Sequence, residues 1–298
     1  MLKYSKTKGG VMKKYTFKVE GIAGAIKIRD FLKRCGFSTS LIAQVKVGGV
    51  FINGENVHMH AEVKDDDLVE VLCPKEESSE IGSINIPLDI VYEDENILAV
   101  NKPRNMPVHP SRGNSLPTLA ECVMAYYGGK FVFRAVNRLD RDTSGLVIIA
   151  KDPLTAAIMC REIKCGDLKK KYTALLSRSP DVRIGEINAP IERENEGNMK
   201  RVVRELGKPS FTKYKVTKIL GDGRAIAEIE PVTGRTHQIR VHMAYIGAPL
   251  YNDFLYGKKV ADGTYFLHCS ELKFTHPTKK VPVLLKAPCP FASFSANN

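Results

Sequence analysis

Asn137-Arg138-Leu139-Asp140-Arg141-Asp142-Thr143-Ser144-Gly145-Leu146-Val147-Ile148-Ile149-Ala150-Lys151 sets a dense polar turn directly before an uninterrupted apolar run. Five successive apolar residues, 146–150, read as a strand covered on both faces rather than one that alternates between core and solvent. Asp142, Thr143, Ser144 and Gly145 shape the turn that feeds it. Asp140 lies between Arg138 and Arg141, and guanidinium groups close to a carboxylate favour its ionised form. An ionised carboxylate in such a place is a candidate nucleophile. The plainer reading of the same aspartates is capping of the turn.

Outward from this segment the pattern is mixed. Strands are expected at 88–92 and 97–100, on either side of the turn Glu93-Asp94-Glu95-Asn96, and again at 146–150, 171–176, 213–219 and 225–230. Helices are expected near 117–127, 153–165 and 236–246. Strands and helices do not alternate regularly enough for a doubly wound parallel sheet. The expected class is therefore α+β, with a mixed, largely antiparallel sheet and flanking helices. The stretch 193–208 is polar and aperiodic and reads as a mobile loop able to order on a ligand.

A separate unit is expected over residues 15–72. Ile28, Phe31, Leu32 and Cys35 recur at the spacing of one helical face, and Gly36 ends that helix. Arg29, Lys33 and Arg34 fall largely on its other side. Ser38 can cap a second short helix that turns Leu41, Ile42 and Val45 inward. Asn53-Gly54, between 50–52 and Val57, is a hairpin turn because both residues accept positive φ. A strand at 68–72 follows three aspartates. Residues 73–85 are polar, carry Pro74 and Gly82, and read as a linker; the second domain is then 86–298.

The balance of charge is strongly basic. The 298 residues hold 45 Lys+Arg against 33 Asp+Glu, a net +12. Residues 1–82 contribute 13 basic and 11 acidic side chains, so +10 of the excess lies in the remainder. Such a balance suits a polyanionic partner. With 43% hydrophobic and 26% charged residues the composition is globular rather than disordered. No apolar run approaches the roughly 20 residues needed to cross a bilayer, so no membrane partner is expected. The lysine-rich start is not followed by the apolar core and cleavage site of a secretory signal. Seven cysteines without a CxxC pair argue against a disulfide framework or a zinc site and suit a reducing cytoplasm. Phosphate-binding glycine loops are missing: Gly207-Lys208 has Val202 where the upstream glycine belongs, and Gly221-Asp222-Gly223 lacks a third glycine. An enzyme of small phosphorylated molecules is therefore disfavoured, and no nucleotide cofactor is expected.

Arg-Leu-Asp-Arg-Asp-Thr-Ser-Gly-Leu, residues 138–146, resembles the signature of the RluA-type RNA pseudouridine synthases. Three further segments match that family's motifs. They are Leu98-Ala99-Val100-Asn101-Lys102-Pro103 with Met106-Pro107-Val108-His109-Pro110; Lys170-Lys171-Tyr172-Thr173-Ala174-Leu175; and Pro231-Val232-Thr233-Gly234-Arg235-Thr236-His237-Gln238-Ile239-Arg240-Val241-His242. Leu267-His268 with Phe274-Thr275-His276-Pro277 resembles the closing motif. The resemblance spans about residues 88–290. The helix-helix-hairpin order of the first unit resembles the S4 RNA-binding domain over residues 26–72.

The resemblance implies the pseudouridine synthase fold with a central RNA-binding cleft, and the isomerisation of uridine in RNA without cofactor or metal. Asp140 is implied as nucleophile, Tyr172 as the ring against the target base and an aid in removing its proton, and Arg240 as the partner that holds Asp140 ionised. Leu267 is implied as an apolar wall and Arg138 as the side chain that fills the gap left by an extruded uridine. Arg141, Lys102, His109 and Arg235 join the RNA-binding candidates, with Arg29, Lys33 and Arg34 from the first unit. Ribosomal RNA is favoured over transfer RNA, and a monomer is the expectation. Two positions depart from the family pattern: Asn137 replaces a His, and Asn105 replaces a Gly. A catalytically silent RNA-binding or ribosome-assembly factor on the same fold is the alternative.

Overall fold

The computed structural model describes residues 3–7, 10–74, 76–111, 113, 115–260 and 264–291, with side chains described from residue 13 onward except at 47 and 48. The last seven residues of the expected second domain, 292–298, lie outside the described residues. The chain divides into two compact units, Met1–Ser79 with Asp152–Ile158, and Glu80–Lys151 with Met159–Asn298.

The first unit runs β1 Lys3–Thr7, β2 Gly10–Lys18, β3 Ile26–Lys27, α1 Ile28–Arg34, α2 Thr39–Gly48, β4 Val50–Ile52, β5 Glu55–Val57, β6 Glu62–Val63 and β7 Leu68–Cys73. Five strands form one antiparallel sheet in the order β1-β2-β7-β4-β5. Helix α1 buries Ile28, Phe31 and Leu32 and leaves Arg29, Lys33 and Arg34 exposed. Gly36 ends it at φ 99°, a value that excludes most side chains. The Ser38 side chain caps α2 by accepting from the Leu41 amide at 3.2 Å. Asn53 and Gly54 take φ 52° and 88°, and the hairpin they close pairs β4 with β5. Strand β2 extends the unit to the N-terminal side of residue 15. Its signal was alternation: Tyr15 and Val19 are buried while Thr16 and Lys18 between them are exposed.

The chain continues as β8 Ile90–Glu93, β9 Ile97–Lys102, α3 Leu119–Tyr126, β10 Ser144–Ala150, α4 Pro153–Cys165, β11 Lys169–Leu176, β12 Ile184–Asn188, β13 Ile191–Arg193, β14 Arg201–Val203, β15 Phe211–Ile219, β16 Ala225–Pro231, α5 Gln238–Tyr245, β17 Leu267–Thr275 and β18 Pro282–Lys286, all in the second unit except α4 up to Ile158. Nine strands make one mixed sheet in the order β12-β15-β16-β11-β17-β10-β9-β8, with β18 added on β17. Its pairings are antiparallel except β10 with β17, which run parallel through Ser144 opposite His268 and Gly145 opposite Cys269. All seven residues of β10 are buried, as the unbroken apolar run requires.

The expected mobile loop at 193–208 is a correction. Ile191, Glu192 and Arg193 pair with Val203, Val202 and Arg201 in a short hairpin, and Lys208 bridges back to Ile191. Three-residue strands of polar composition leave no periodicity to detect.

Candidate active site

The polar turn enters the sheet where β10 and β17 lie closest. Gly145 has φ 110°, and a Cβ there would lie 2.3 Å from the Cys269 carbonyl oxygen, so only glycine fits. Upstream, the buried Asn137 side chain donates to the Leu146 carbonyl at 3.0 Å and accepts from the Ile148 amide at 2.9 Å. The departure from His at this position is thus a brace between the two ends of the turn. The other departure, Asn105, sits at φ 56°, a left-handed conformation that Asn tolerates better than most residues.

Asp140 stands at the head of the turn with its side chain 35% exposed. Arg240 on α5 points Nη1 toward it at 3.7 Å, and His237 points Nε2 toward it at 3.8 Å. Both separations exceed a hydrogen bond, so the two groups face the half-exposed carboxylate at ion-pair distance without bonding it. Sequence neighbours do not supply the cations. The Arg141 guanidinium turns away to form two bonds with Asp142, at 2.9 and 2.8 Å, and Arg138 is exposed. The expected flanking of Asp140 by Arg138 and Arg141 is therefore replaced by a partner a hundred residues further along the chain.

Arg240 itself is 5% exposed and is held by Asp253, which is completely buried. Nε donates to Oδ2 at 2.7 Å and Nη2 to Oδ1 at 2.8 Å, while the Leu255 and Tyr256 amides donate to Oδ1 at 3.0 and 3.2 Å. The guanidinium is sandwiched by the Tyr265 ring at 4.2 Å and the Tyr256 ring at 4.9 Å. Burial alone would weaken the cation, but Asp253 and, less strongly, Asp140 raise its pKa above the ordinary arginine value.

Tyr172 is 7% exposed. A register shift between Lys171 and Tyr172 re-aims it as β11 pairs with β17. Burial raises the phenol pKa well above its usual value, and Cys269 and Asp140 push it further in the same direction. Leu267, the first residue of β17, is buried and pairs with Ala174 two residues beyond Tyr172. His109 packs edge-on against Phe133 at 5.0 Å, and burial followed by the charge of Arg138 lowers its pKa. Arg235 is exposed and donates through Nε to the Pro209 carbonyl at 3.1 Å.

Lys102 has a different place from the one expected of an RNA contact. It is 1% exposed, and Nζ donates to the carbonyls of Pro103, Met106 and Arg141 at 2.8, 2.7 and 3.1 Å. The Met106 amide also donates to the Arg141 carbonyl, at 3.1 Å. Lys102 thus ties the loop after β9 to the Asp140 turn from below. Burial draws its pKa down to about 7, opposed by Asp142 and Asp140.

Asp253, Tyr256 and Tyr265 were missed in the sequence because they sit in an irregular segment, where no period or spacing marks them. The segment itself is recognisable only once Arg240 is seen to need a counter-ion.

A half-exposed carboxylate facing a fixed guanidinium, with a buried phenol within electrostatic reach, is an arrangement suited to catalysis by a charged side chain on a mixed sheet. The family model described as RNA pseudouridylate synthase matches residues 96–245. The chain is 35% identical over 270 residues to a Bacillus subtilis (strain 168) protein named as the uncharacterized RNA pseudouridine synthase YjbO, covering 88% of this chain and 95% of that one. It is 31% identical to the ribosomal large subunit pseudouridine synthase D of Xanthomonas campestris pv. campestris, covering 85% of this chain and 82% of the other. Among solved structures, human RNA pseudouridylate synthase domain containing 1 superposes with a TM-score of 0.59 at 30% identity, covering 72% of this chain and 87% of that one. The chain belongs to the RNA pseudouridylate synthase family, in its RluA-type branch, and is an RNA pseudouridine synthase.

Proposed function

We propose that the enzyme isomerises uridine in structured RNA, with ribosomal RNA as the preferred substrate and transfer RNA as the other class to test, and with Asp140 as the nucleophile. The observation that carries this reading is the half-exposed Asp140 carboxylate with the fixed Arg240 guanidinium 3.7 Å from it. The relatives named for the ribosomal large subunit support the choice of RNA.

In the reaction the bond from C1′ of the ribose to N1 of uracil breaks, with its electron pair leaving on the ring. The ring then turns, a bond forms from C1′ to C5, the C5 proton passes to water and N1 takes up a proton in its place. Asp140 attacks either the ribose carbon, forming an ester that breaks as C5 bonds to C1′, or the base, from which it leaves again once the ring is rejoined, with the Arg240 guanidinium facing the carboxylate throughout. Tyr172, held neutral, is a poor proton acceptor, so it serves as the face against which uracil packs. Leu267 supplies apolar surface beside it. A glycosidic bond inside a stacked helix is out of reach, so the nucleotide is extruded at a cost of a few kcal/mol, and Arg138 fills the vacancy. Arg141, Arg235 and His109 stand at the rim as RNA contacts.

Residues 15–72 act as an S4-like RNA-binding domain through Arg29, Lys33 and Arg34, joined by the linker 73–85 to the catalytic domain 86–298. The enzyme works as a cytoplasmic monomer without cofactor. Chemical mapping of pseudouridine in total RNA from cells with and without the protein identifies the target. Asp140→Asn is expected to abolish isomerisation while RNA binding persists; isomerisation by that variant would overturn the proposal.

A further inference from the structure

His237 also faces the Asp140 carboxylate, and the tautomer of its ring is legible from its other nitrogen. The Tyr256 hydroxyl oxygen accepts the Arg201 amide hydrogen at 2.9 Å. The same hydroxyl lies 2.8 Å from His237 Nδ1. A backbone amide only donates, so the phenol oxygen serves as its acceptor, and the acceptor at hand for the phenol's own hydrogen is Nδ1. An imidazole that accepts at Nδ1 carries its hydrogen on Nε2. Nε2 points at Asp140 Oδ2 from 3.8 Å, too far to bond. Among the described residues, no acceptor lies within hydrogen-bond distance of this nitrogen, so its hydrogen is left unused beside the half-exposed Asp140 carboxylate.

The backbone supports a dedicated placement. His237 is the N-cap of α5 and adopts φ 56° and ψ 17° without using its side chain as a cap. A non-glycine residue in the left-handed region is disfavoured, and such strain persists where the surroundings enforce it. Burial, opposed by Asp140 and reinforced by the charges of Arg240 and Arg201, lowers the imidazole pKa and keeps the ring neutral.

We propose that His237 is a further catalytic residue, whose Nε2 hydrogen is donated to a uracil carbonyl oxygen of the extruded nucleotide, and that Tyr256 is the positioning residue that fixes its tautomer. As the C1′ to N1 bond breaks, the electron pair it leaves on uracil spreads to the carbonyl oxygens. A neutral donor set in advance stabilises that charge without giving up its proton, so the ring remains free to turn. The inference rests on the assignment of the active site to Asp140. It adds a second donor beside Arg240, one turn earlier at the N-cap of α5 and directed at the same Asp140 oxygen.

The test measures single-turnover rate and RNA dissociation constant for His237→Ala, His237→Gln, Tyr256→Phe and Asp140→Asn, with thermal unfolding to establish folding. His237→Ala is expected to slow the chemical step by about tenfold to a hundredfold, with RNA affinity within about threefold of wild type. Gln places an amide N–H near the position of Nε2, so His237→Gln is expected to recover most of the rate. Tyr256→Phe keeps the ring over Arg240 but frees the tautomer, and is expected to slow the step severalfold at unchanged affinity. A His237→Ala enzyme as fast as wild type, or a Gln variant as slow as the Ala variant, overturns the donor role. If Asp140→Asn is inactive in the same assay, that failure concerns His237 alone. An active Asp140→Asn enzyme overturns the site itself.

Discussion

Asp253 grips Arg240 with both carboxylate oxygens, at 2.7 and 2.8 Å, and thereby leaves only Nη1 facing Asp140, at 3.7 Å. The guanidinium is a fixed point of positive charge that faces Asp140 at ion-pair distance without hydrogen-bonding it. In the proposed reaction a carboxylate fully bonded to Arg240 would be a weaker nucleophile than one merely facing it.

Removing the Asp253 charge tests that division of labour. Asp253→Asn keeps the shape but leaves a buried guanidinium without its counter-ion, a loss of about 3–5 kcal/mol of stability. Arg240 is then free to collapse onto Asp140. The expected result is a lower urea midpoint together with at least a tenfold fall in single-turnover rate, while RNA affinity changes by less than about threefold. A variant with wild-type chemistry would show that Arg240 needs no second carboxylate.

Lys102 offers a complementary test from beneath the turn. Replacing it by Met strands the Pro103 and Met106 carbonyls and leaves the Arg141 carbonyl with only the Met106 amide, and the expected cost is about 2–4 kcal/mol. The pH dependence has a definite sign. In the folded protein the ammonium loses its proton near pH 7, whereas the unfolded lysine keeps it to about 10.5. Between those values the unfolded chain binds more protons, so stability rises with pH across that window. Urea unfolding at intervals from pH 6.5 to 9.5 is expected to show wild type gaining on Lys102→Met. Parallel curves would count against a strongly depressed lysine.

Much of this architecture was legible before any coordinates. The buried strand β10, the Asn-Gly hairpin, the Ser38 cap and the helix that carries Arg240 follow from local chemistry, and local chemistry is what a sequence displays. The parallel contact of β10 with β17 does not, because it depends on Gly145 meeting the Cys269 backbone over more than a hundred residues. The same limit applies to Asp140, whose partner Arg240 was named by the family resemblance and by no local pattern. Arg138 and Arg141 are its neighbours in sequence, yet Arg141 is captured by Asp142, and the cation that matters comes from α5. Asp253 carried no signal, since a counter-ion in an irregular segment obeys no period.

Asp94 holds together the edge of the catalytic sheet and makes an acid-sensitive joint. Its carboxylate accepts from the Asn96 and Ile97 amides, the Tyr92 hydroxyl, Lys279 Nζ and His276 Nε2. Burial acts to raise its pKa, but these hydrogen bonds, that of Lys279 foremost, bring it well below the usual carboxylate range. A depressed folded pKa contributes stability that is present above the unfolded value near 4 and is lost as pH falls through the folded one. Asp94→Asn is expected to lower stability by about 2 kcal/mol at pH 7 and to flatten the decline below pH 4. Circular dichroism during acid titration of both proteins checks this; identical acid midpoints would remove Asp94 from the account.

For the first unit the prediction concerns salt rather than rate. Arg29, Lys33 and Arg34 are exposed on α1, but Lys33 already has Asp30 within 3.5 Å. Each cation that neutralises a phosphate adds about 0.7 to 0.9 to the slope of log affinity against log salt. Lys33 shares its charge with Asp30, so replacing all three with Ala is expected to reduce the slope by about 1.4 to 1.8 rather than by the roughly 2.1 to 2.7 that three free cations would give. Single-turnover rate at saturating RNA is expected to stay unchanged, because none of the three belongs to the Asp140 site. Filter binding from 50 to 300 mM salt, about the range over which such contacts are screened, reads the slope directly. A triple variant with the wild-type slope would mean that this helix face does not touch RNA, and the basic excess of residues 83–298 would then have to carry the binding.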